Sequence, residues 1–253
     1  MEEKIWFKSD SLILYGVLSS SEKKSKKCVL LCHGITVSKD ISQFKELSEV
    51  LLQENYDSLR FDIRSHGESE GDSLDLTVKG WKTDIKNSIK FLKERGYEEF
   101  IILANSFSGG PALMFSEEEP NIKSVILVAA LVDYSSILDP KTKWASYIIK
   151  SKINEMKKKG YIKIFGGYKV GKALYEDMQQ FNPWKALEKL DIPVLFIHGD
   201  KDLLVPCEDS IKYSKICHKG KLIIIKGAGH DFDKRKQLEE VGKEIISFLK
   251  NNF

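Results

Sequence analysis

At 253 residues, 42% apolar and 30% charged with a net charge of +3, the chain has the composition of one globular domain with a sizeable core, which excludes a disordered segment. Its longest apolar run, Val125 to Val132, is of strand length and far short of the roughly eighteen residues of a membrane helix, so no integral membrane association is expected. The near-neutral balance, with no motif that interleaves basic and aromatic residues, also argues against a nucleic-acid partner.

Two adjoining strands are expected first, Lys4–Lys8 and Leu12–Leu18, turned by Ser9-Asp10-Ser11. The start, Met1-Glu2-Glu3-Lys4, lacks the basic segment and apolar core of a secretion signal, and a cytoplasmic location is the expectation. After a lysine-rich loop at 22–27, short apolar strands alternate with helical patterns. Val29–Leu31 precedes a helix near 44–54, Ser58–Phe61 one near 76–95, and Phe100–Leu103 one near 110–118. Val125–Val128, Val194–Ile197 and Leu222–Ile225 complete the strands, and a last helix lies near 234–249. Strands that are apolar on both faces and alternate with helices imply an α/β fold, a mostly parallel sheet of eight strands covered on both sides.

The rhythm breaks between 133 and 182. Ile149, Ile153 and Met156 share one helical face, and Gly166-Gly167 reads as a two-residue turn between Tyr161–Phe165 and Tyr168–Val170. The expected organisation is a core of 1–132 and 183–253, with 133–182 inserted as a cap between strands six and seven. Lys141 to Lys172 holds ten lysines and one acid, Glu155, a local charge of +9 that leaves about −6 for the rest. Such a run reads as the solvated face of the insert or as an entrance that attracts anions. Cys28, Cys32, Cys207 and Cys217 show neither disulfide nor metal spacing and are expected to remain reduced.

Three polar segments each follow a predicted strand, where open α/β sheets place their sites. Ala104-Asn105-Ser106-Phe107-Ser108-Gly109-Gly110 has the form of a degenerate G-x-S-x-G turn, with Ser106 as nucleophile and the Phe107 N–H as an oxyanion donor at a helix start. Ser108 is the rival register, since Ser106 and Gly110 flank it. In His198-Gly199-Asp200-Lys201-Asp202, Asp202 lies farther beyond the strand and is the candidate acid, while Asp200 suits the turn. His230, in Gly227-Ala228-Gly229-His230, is the candidate base. A metal on His198, Asp200 and Asp202 lacks completing ligands, so neither metal nor other cofactor is expected. In Leu31-Cys32-His33-Gly34-Ile35, the Ile35 N–H is the second candidate oxyanion donor and His33 a support. Arg60 to Ser69 reads as a loop whose charges pair internally, and His66 has no catalytic role.

With His33-Gly34, Phe61-Asp62-Ile63-Arg64-Ser65-His66-Gly67-Glu68-Ser69, the Ser106 turn, Ile192-Pro193-Val194 and Gly229-His230, the sequence resembles the α/β-hydrolase superfamily along nearly its whole length. Ser11 to Gly16, the Gly166-Gly167 turn and Glu176-Asp177-Met178 are similar to the cinnamoyl/feruloyl esterase-like group. The resemblance implies a serine carboxylesterase working through an acyl-enzyme on small-molecule esters, some with aromatic acyl parts, under a small lid. It also implies that Tyr168 touches substrate, while packing within the lid is the alternative. The departures are Ala104, Ser108 and Ser65, each where glycine is usual. An amidase or peptidase, a thioesterase, an acyltransferase, or a binding protein on the same fold would use the same residues, and nothing in the sequence sets the oligomeric state.

Overall fold

A computed structural model describes residues 1–21, 25–138, 152 and 155–253. β1 (Glu2–Ser9) and β2 (Leu12–Ser19) form an antiparallel hairpin turned at Asp10. β3 (Lys27–Cys32), α1 (Ser42–Gln53), β4 (Asp57–Phe61), α2 (Val78–Glu94), β5 (Glu99–Asn105), α3 (Gly109–Ser116) and β6 (Ile122–Val128) then alternate. The segment that follows carries α4 (Ser135–Leu138), β7 (Tyr161–Lys163), β8 (Lys169–Gly171) and α5 (Lys172–Met178). β9 (Val194–Gly199), α6 (Cys207–Tyr213), β10 (Gly220–Ile225) and α7 (Arg235–Asn252) close the chain. The eight expected strands of the main sheet are all present, extended by one to three residues at one or both ends, whereas of the two hairpin arms β7 is shorter than expected and β8 is shifted by one residue.

Eight strands form one sheet in the order β1-β2-β4-β3-β5-β6-β9-β10, parallel from β4 to β10 and antiparallel at β1–β2 and β2–β4. Its central strands are mainly apolar because each face has its own core, whereas edge strand β1 alternates exposed and buried residues. On β5, Phe100, Ile102 and Ala104 enter one cluster while Ile101 and Leu103 enter the other. β9 splits in the same way, Val194 and Phe196 against Leu195 and Ile197. Each such side chain contributes about 1.5–3 kcal/mol on burial. α2 buries Trp81, Ile85, Ile89 and Leu92 along one face, and Thr77 caps its start by accepting from the Gly80 N–H at 2.9 Å. Among the described residues no helix is long and apolar enough to cross a membrane.

Between β6 and β9, β7 and β8 pair as a separate two-stranded sheet. Its turn differs from expectation: Phe165 joins Gly166 and Gly167 in a three-residue turn, with the glycines at φ +64° and +82°. The segment is tied to the core at the start of α2, where buried Asp177 accepts from the Lys79 N–H at 3.0 Å. A carboxylate is favoured there by the helix dipole. Met156 is buried, whereas Ile149 and Ile153 of the expected helical face lie outside the described residues.

Candidate active site

β5 ends at Asn105 and the chain turns at Ser106, whose φ of +52° is left-handed and costs an L-residue about 1–2 kcal/mol. A short 3₁₀ turn, Ser106–Ser108, leads into α3. The close approach expected at position 108 falls one residue later. A Cβ on Gly109 would sit 2.6 Å from that of Ala130, so bulk is excluded there. Ser108 is accommodated because it is fully buried with both bonding capacities used, donating to the His33 carbonyl at 2.5 Å and accepting from Trp81 Nε1 at 2.8 Å. Ser108→Ala is therefore expected to lower stability by about 1–3 kcal/mol in urea unfolding, by stranding two buried polar groups.

Ser106 Oγ lies 2.9 Å from His230 Nε2, and His230 Nδ1 lies 2.8 Å from Asp202 Oδ2. The second contact fixes the proton on Nδ1, leaving the Nε2 lone pair for the serine hydroxyl. Asp202 is buried and receives four donors. Leu204 and Val205 give their N–H groups to Oδ1 at 2.7 and 2.9 Å, and His198 Nε2 approaches Oδ2 at 3.0 Å. Burial alone would push this carboxyl up, but the hydrogen bonds from His198 and His230 outweigh it and hold it well below the usual carboxylate range. Asp200 instead accepts from the Gly227 N–H at 2.6 Å in the turn.

His198 is the residue that sequence reasoning passed over. It is fully buried at the end of β9, with Nδ1 2.7 Å from Ser210 Oγ and Nε2 shared between Asp202 and the Val205 carbonyl. Its signal was present, since His198 and Asp202 are four apart across a strand end. Among the described residues, no group of three or more His, Cys, Asp or Glu is arranged to hold a metal.

Opposite the serine, the loop after β3 comes close. A Cβ on Gly34 would lie 2.9 Å from Ser106 Cβ, so only glycine lets Ile35 pass beside the nucleophile. His33 braces this loop, donating from Nδ1 to the Gly34 carbonyl at 2.7 Å and accepting from the Ile63 N–H at 3.0 Å. Burial, with His66 nearby, lowers its pKa to about 3, so it is neutral. His66 is also held neutral by burial and accepts from the Thr36 N–H at 3.2 Å.

One expectation is corrected. The charges of the 60–69 loop pair mainly outside it, Asp62 with Lys39 at 2.8 Å and Arg64 with Asp84 at 2.7 Å, because the loop wraps between α2 and the segment after β3. Tyr168 lies beside the glycine turn and packs against the core. Its hydroxyl donates to the Ser65 carbonyl at 3.2 Å and its ring stacks on His66 at 5.0 Å, which pins the β7–β8 turn to the core.

A cavity of about 690 Å³ opens at Ser106, lined there by Ile35, Phe107, Leu131, Val205 and His230 and on the other side by residues of 152–179. A groove of about 720 Å³ between α1 and α7 shares Asn105, His230 and Asp231 with this cavity, but Ser106 lines only the cavity.

A family model described as Hydrolase_4, serine aminopeptidase S33, matches residues 23–180. The chain belongs to this family. This S33-family hydrolase also superposes on Est1E from Butyrivibrio proteoclasticus, solved with ferulic acid bound, with a TM-score of 0.84 and 22% identity over 98% of both chains. That likeness shows the α/β-hydrolase fold. A bifunctional esterase/perhydrolase of Acinetobacter calcoaceticus is 33% identical over 84 residues, 32% of this chain and 30% of that one. An (R)-3-hydroxydecanoyl-ACP:CoA transacylase of Ectopseudomonas oleovorans is 29% identical over 85 residues, 33% of this chain and 28% of its own. The chain thus matches under a third of the length of these two relatives.

Proposed function

We propose that this S33-family hydrolase is a serine carboxylesterase acting through Ser106, His230 and Asp202. The observation that carries the reading is the continuous hydrogen-bond chain from Ser106 Oγ through both ring nitrogens of His230 to Asp202, set on a left-handed turn at a strand end. In this mechanism His230 Nε2 takes the hydroxyl proton as Oγ attacks the ester carbonyl, and Asp202 stabilises the imidazolium. The backbone N–H groups of Ile35 and Phe107 receive the oxyanion, each contributing about 3–4 kcal/mol. The imidazolium returns its proton to the departing alkoxide, and a water activated by the same base releases the acyl group. Residues 133–182 act as the lid, and the apolar lining around Phe107, Leu131 and Val205 suits an aromatic or short aliphatic acyl part. Support for the aromatic option is the likeness to Est1E.

A fluorophosphonate probe is expected to label the protein once, with peptide mapping placing the adduct on Ser106. A matched series of feruloyl, acetyl and butyryl esters against the corresponding amides is then expected to show ester cleavage faster in every pair. An adduct on Ser108, or no adduct on folded protein, would overturn the assignment. Faster amide cleavage would move it to a peptidase.

A further inference from the structure

We propose that the same cavity selects substrates bearing an anionic group remote from the scissile bond, a carboxylate or a phosphate, read by Lys152, Lys157 and Lys172 at its rim. The inference rests on the hydrolase reading only for where the scissile bond lies. All three lysines line the cavity that opens at Ser106, yet Lys157 and Lys172 are exposed and Lys152 partly so. The same segment lines the cavity mainly with apolar side chains, Met156, Ile162, Ile164, Val170, Leu174 and Met178. A largely apolar cavity whose lining includes solvent-exposed ammonium groups fits a molecule that is apolar near the ester and negative where it meets solvent.

Lys152 and Lys157 have no ion-pair partner among the described residues, whereas Lys172 is paired with Glu176. Glu155, the single acid between Lys141 and Lys172, pairs with Lys159 at 3.0 Å and not with Lys152 or Lys157. Two carboxylates share the lining. Glu176 is engaged with Lys172 at 2.7 Å, and Asp231 sits next to His230. Lys152 Nζ donates to the Lys163 carbonyl at 2.7 Å, which positions the ammonium without neutralising it. Lys163 and Lys169 of the β7–β8 pair add exposed positive charge beside the same lid. Exposed cations of this kind act over roughly a Debye length, about 8–10 Å at ordinary ionic strength, and focus anions into a low-dielectric cleft.

The test compares thioesters that carry different charges on the thiol or on the acyl arm. The probes are hexanoyl thioesters of thiocholine (cationic), 2-mercaptoethanol (neutral), 3-mercaptopropionate (carboxylate) and coenzyme A (phosphates). The glutaryl thioester of 2-mercaptoethanol places the carboxylate on the acyl arm instead. At low salt, kcat/KM is expected to be at least about tenfold higher for an anionic member than for the thiocholine ester. That ratio should fall towards one in 0.5 M NaCl and in the Lys152→Gln/Lys157→Gln/Lys172→Gln variant. Preference for coenzyme A alone assigns a phosphate, preference for 3-mercaptopropionate or glutaryl a carboxylate.

Binding of the same probes to Ser106→Ala protein, followed by calorimetry, reads the ranking without turnover. A charge ranking in binding with no turnover by the wild-type protein would sink the hydrolase reading and leave the anion site standing. Equal affinities for all probes, or a ranking that survives in the triple variant, would overturn the anion site.

Discussion

Ser106→Ala will reduce ester turnover by on the order of 10⁴- to 10⁶-fold and abolish phosphonate labelling, while circular dichroism stays that of the folded protein. The large loss follows because the serine, base and acid act as a unit, and what remains is binding and the oxyanion donors alone. The fold should persist because Ser106 Oγ has one protein partner, His230 Nε2, at a cavity wall where water can replace it. A second variant tests the backbone. At φ +52° alanine keeps the left-handed penalty of about 1–2 kcal/mol that glycine escapes, and glycine gives back about half of that through its freer unfolded chain. Ser106→Gly is therefore expected to be about 0.5–1 kcal/mol more stable than Ser106→Ala in urea, and equally inactive. Substantial turnover by either variant would remove Ser106 from the mechanism. Equal stability of the two would mean that the strain only matches glycine's entropic cost, and a glycine variant less stable than the alanine by about 0.5–1 kcal/mol would mean that the turn stores none.

The strands were readable because an α/β sheet with two covered faces leaves an unbroken apolar signature, such as Phe100 to Leu103 or Val194 to Ile197. The positions of Ser106, Asp202 and His230 followed from the same signature, since each lies just beyond a strand end. What escaped the sequence depends on partners far along the chain or on weak local signals. The hydroxyl of Ser108 is tolerated at a position that usually carries glycine because of Trp81, 27 residues earlier, and the His33 carbonyl, 75 residues earlier. α6 buries Cys207, Ser210 and Tyr213, a face too polar to announce a helix. Tyr168 stands beside the glycine turn in sequence, but the turn lays its ring over His66, from an element about a hundred residues away. The lysine run was visible as composition. Only the fold separates Lys152, Lys157 and Lys172, which line the cavity, from Lys158, Lys159, Lys163 and Lys169, which face solvent.

Asp202→Asn is expected to lower kcat about 10⁴-fold and stability by about 1–3 kcal/mol, an effect set by where protons sit. The asparagine carbonyl can keep the Leu204 and Val205 N–H groups, but its NH₂ must then face His230 Nδ1 and His198 Nε2. His230 can satisfy an NH₂ only by moving its own proton to Nε2, and that nitrogen then meets Ser106 as a donor and ceases to be a base. His198 faces the same conflict, and a flipped tautomer would leave the Val205 carbonyl at 3.1 Å without its donor. The pH dependence has a definite sign. Because the fold holds the Asp202 carboxyl below its usual range, its contribution is complete above the unfolded carboxylate range and is lost as acid pH falls towards the lowered value. The stability gap between wild type and Asp202→Asn should therefore be widest near neutrality and narrow below about pH 4, the ordinary carboxylate range. His198→Gln, which can keep an N–H directed at Oδ2, should cost far less activity than Asp202→Asn. Equal losses in the two variants would show that the buried histidine, and not the charge of Asp202, sets the orientation of His230.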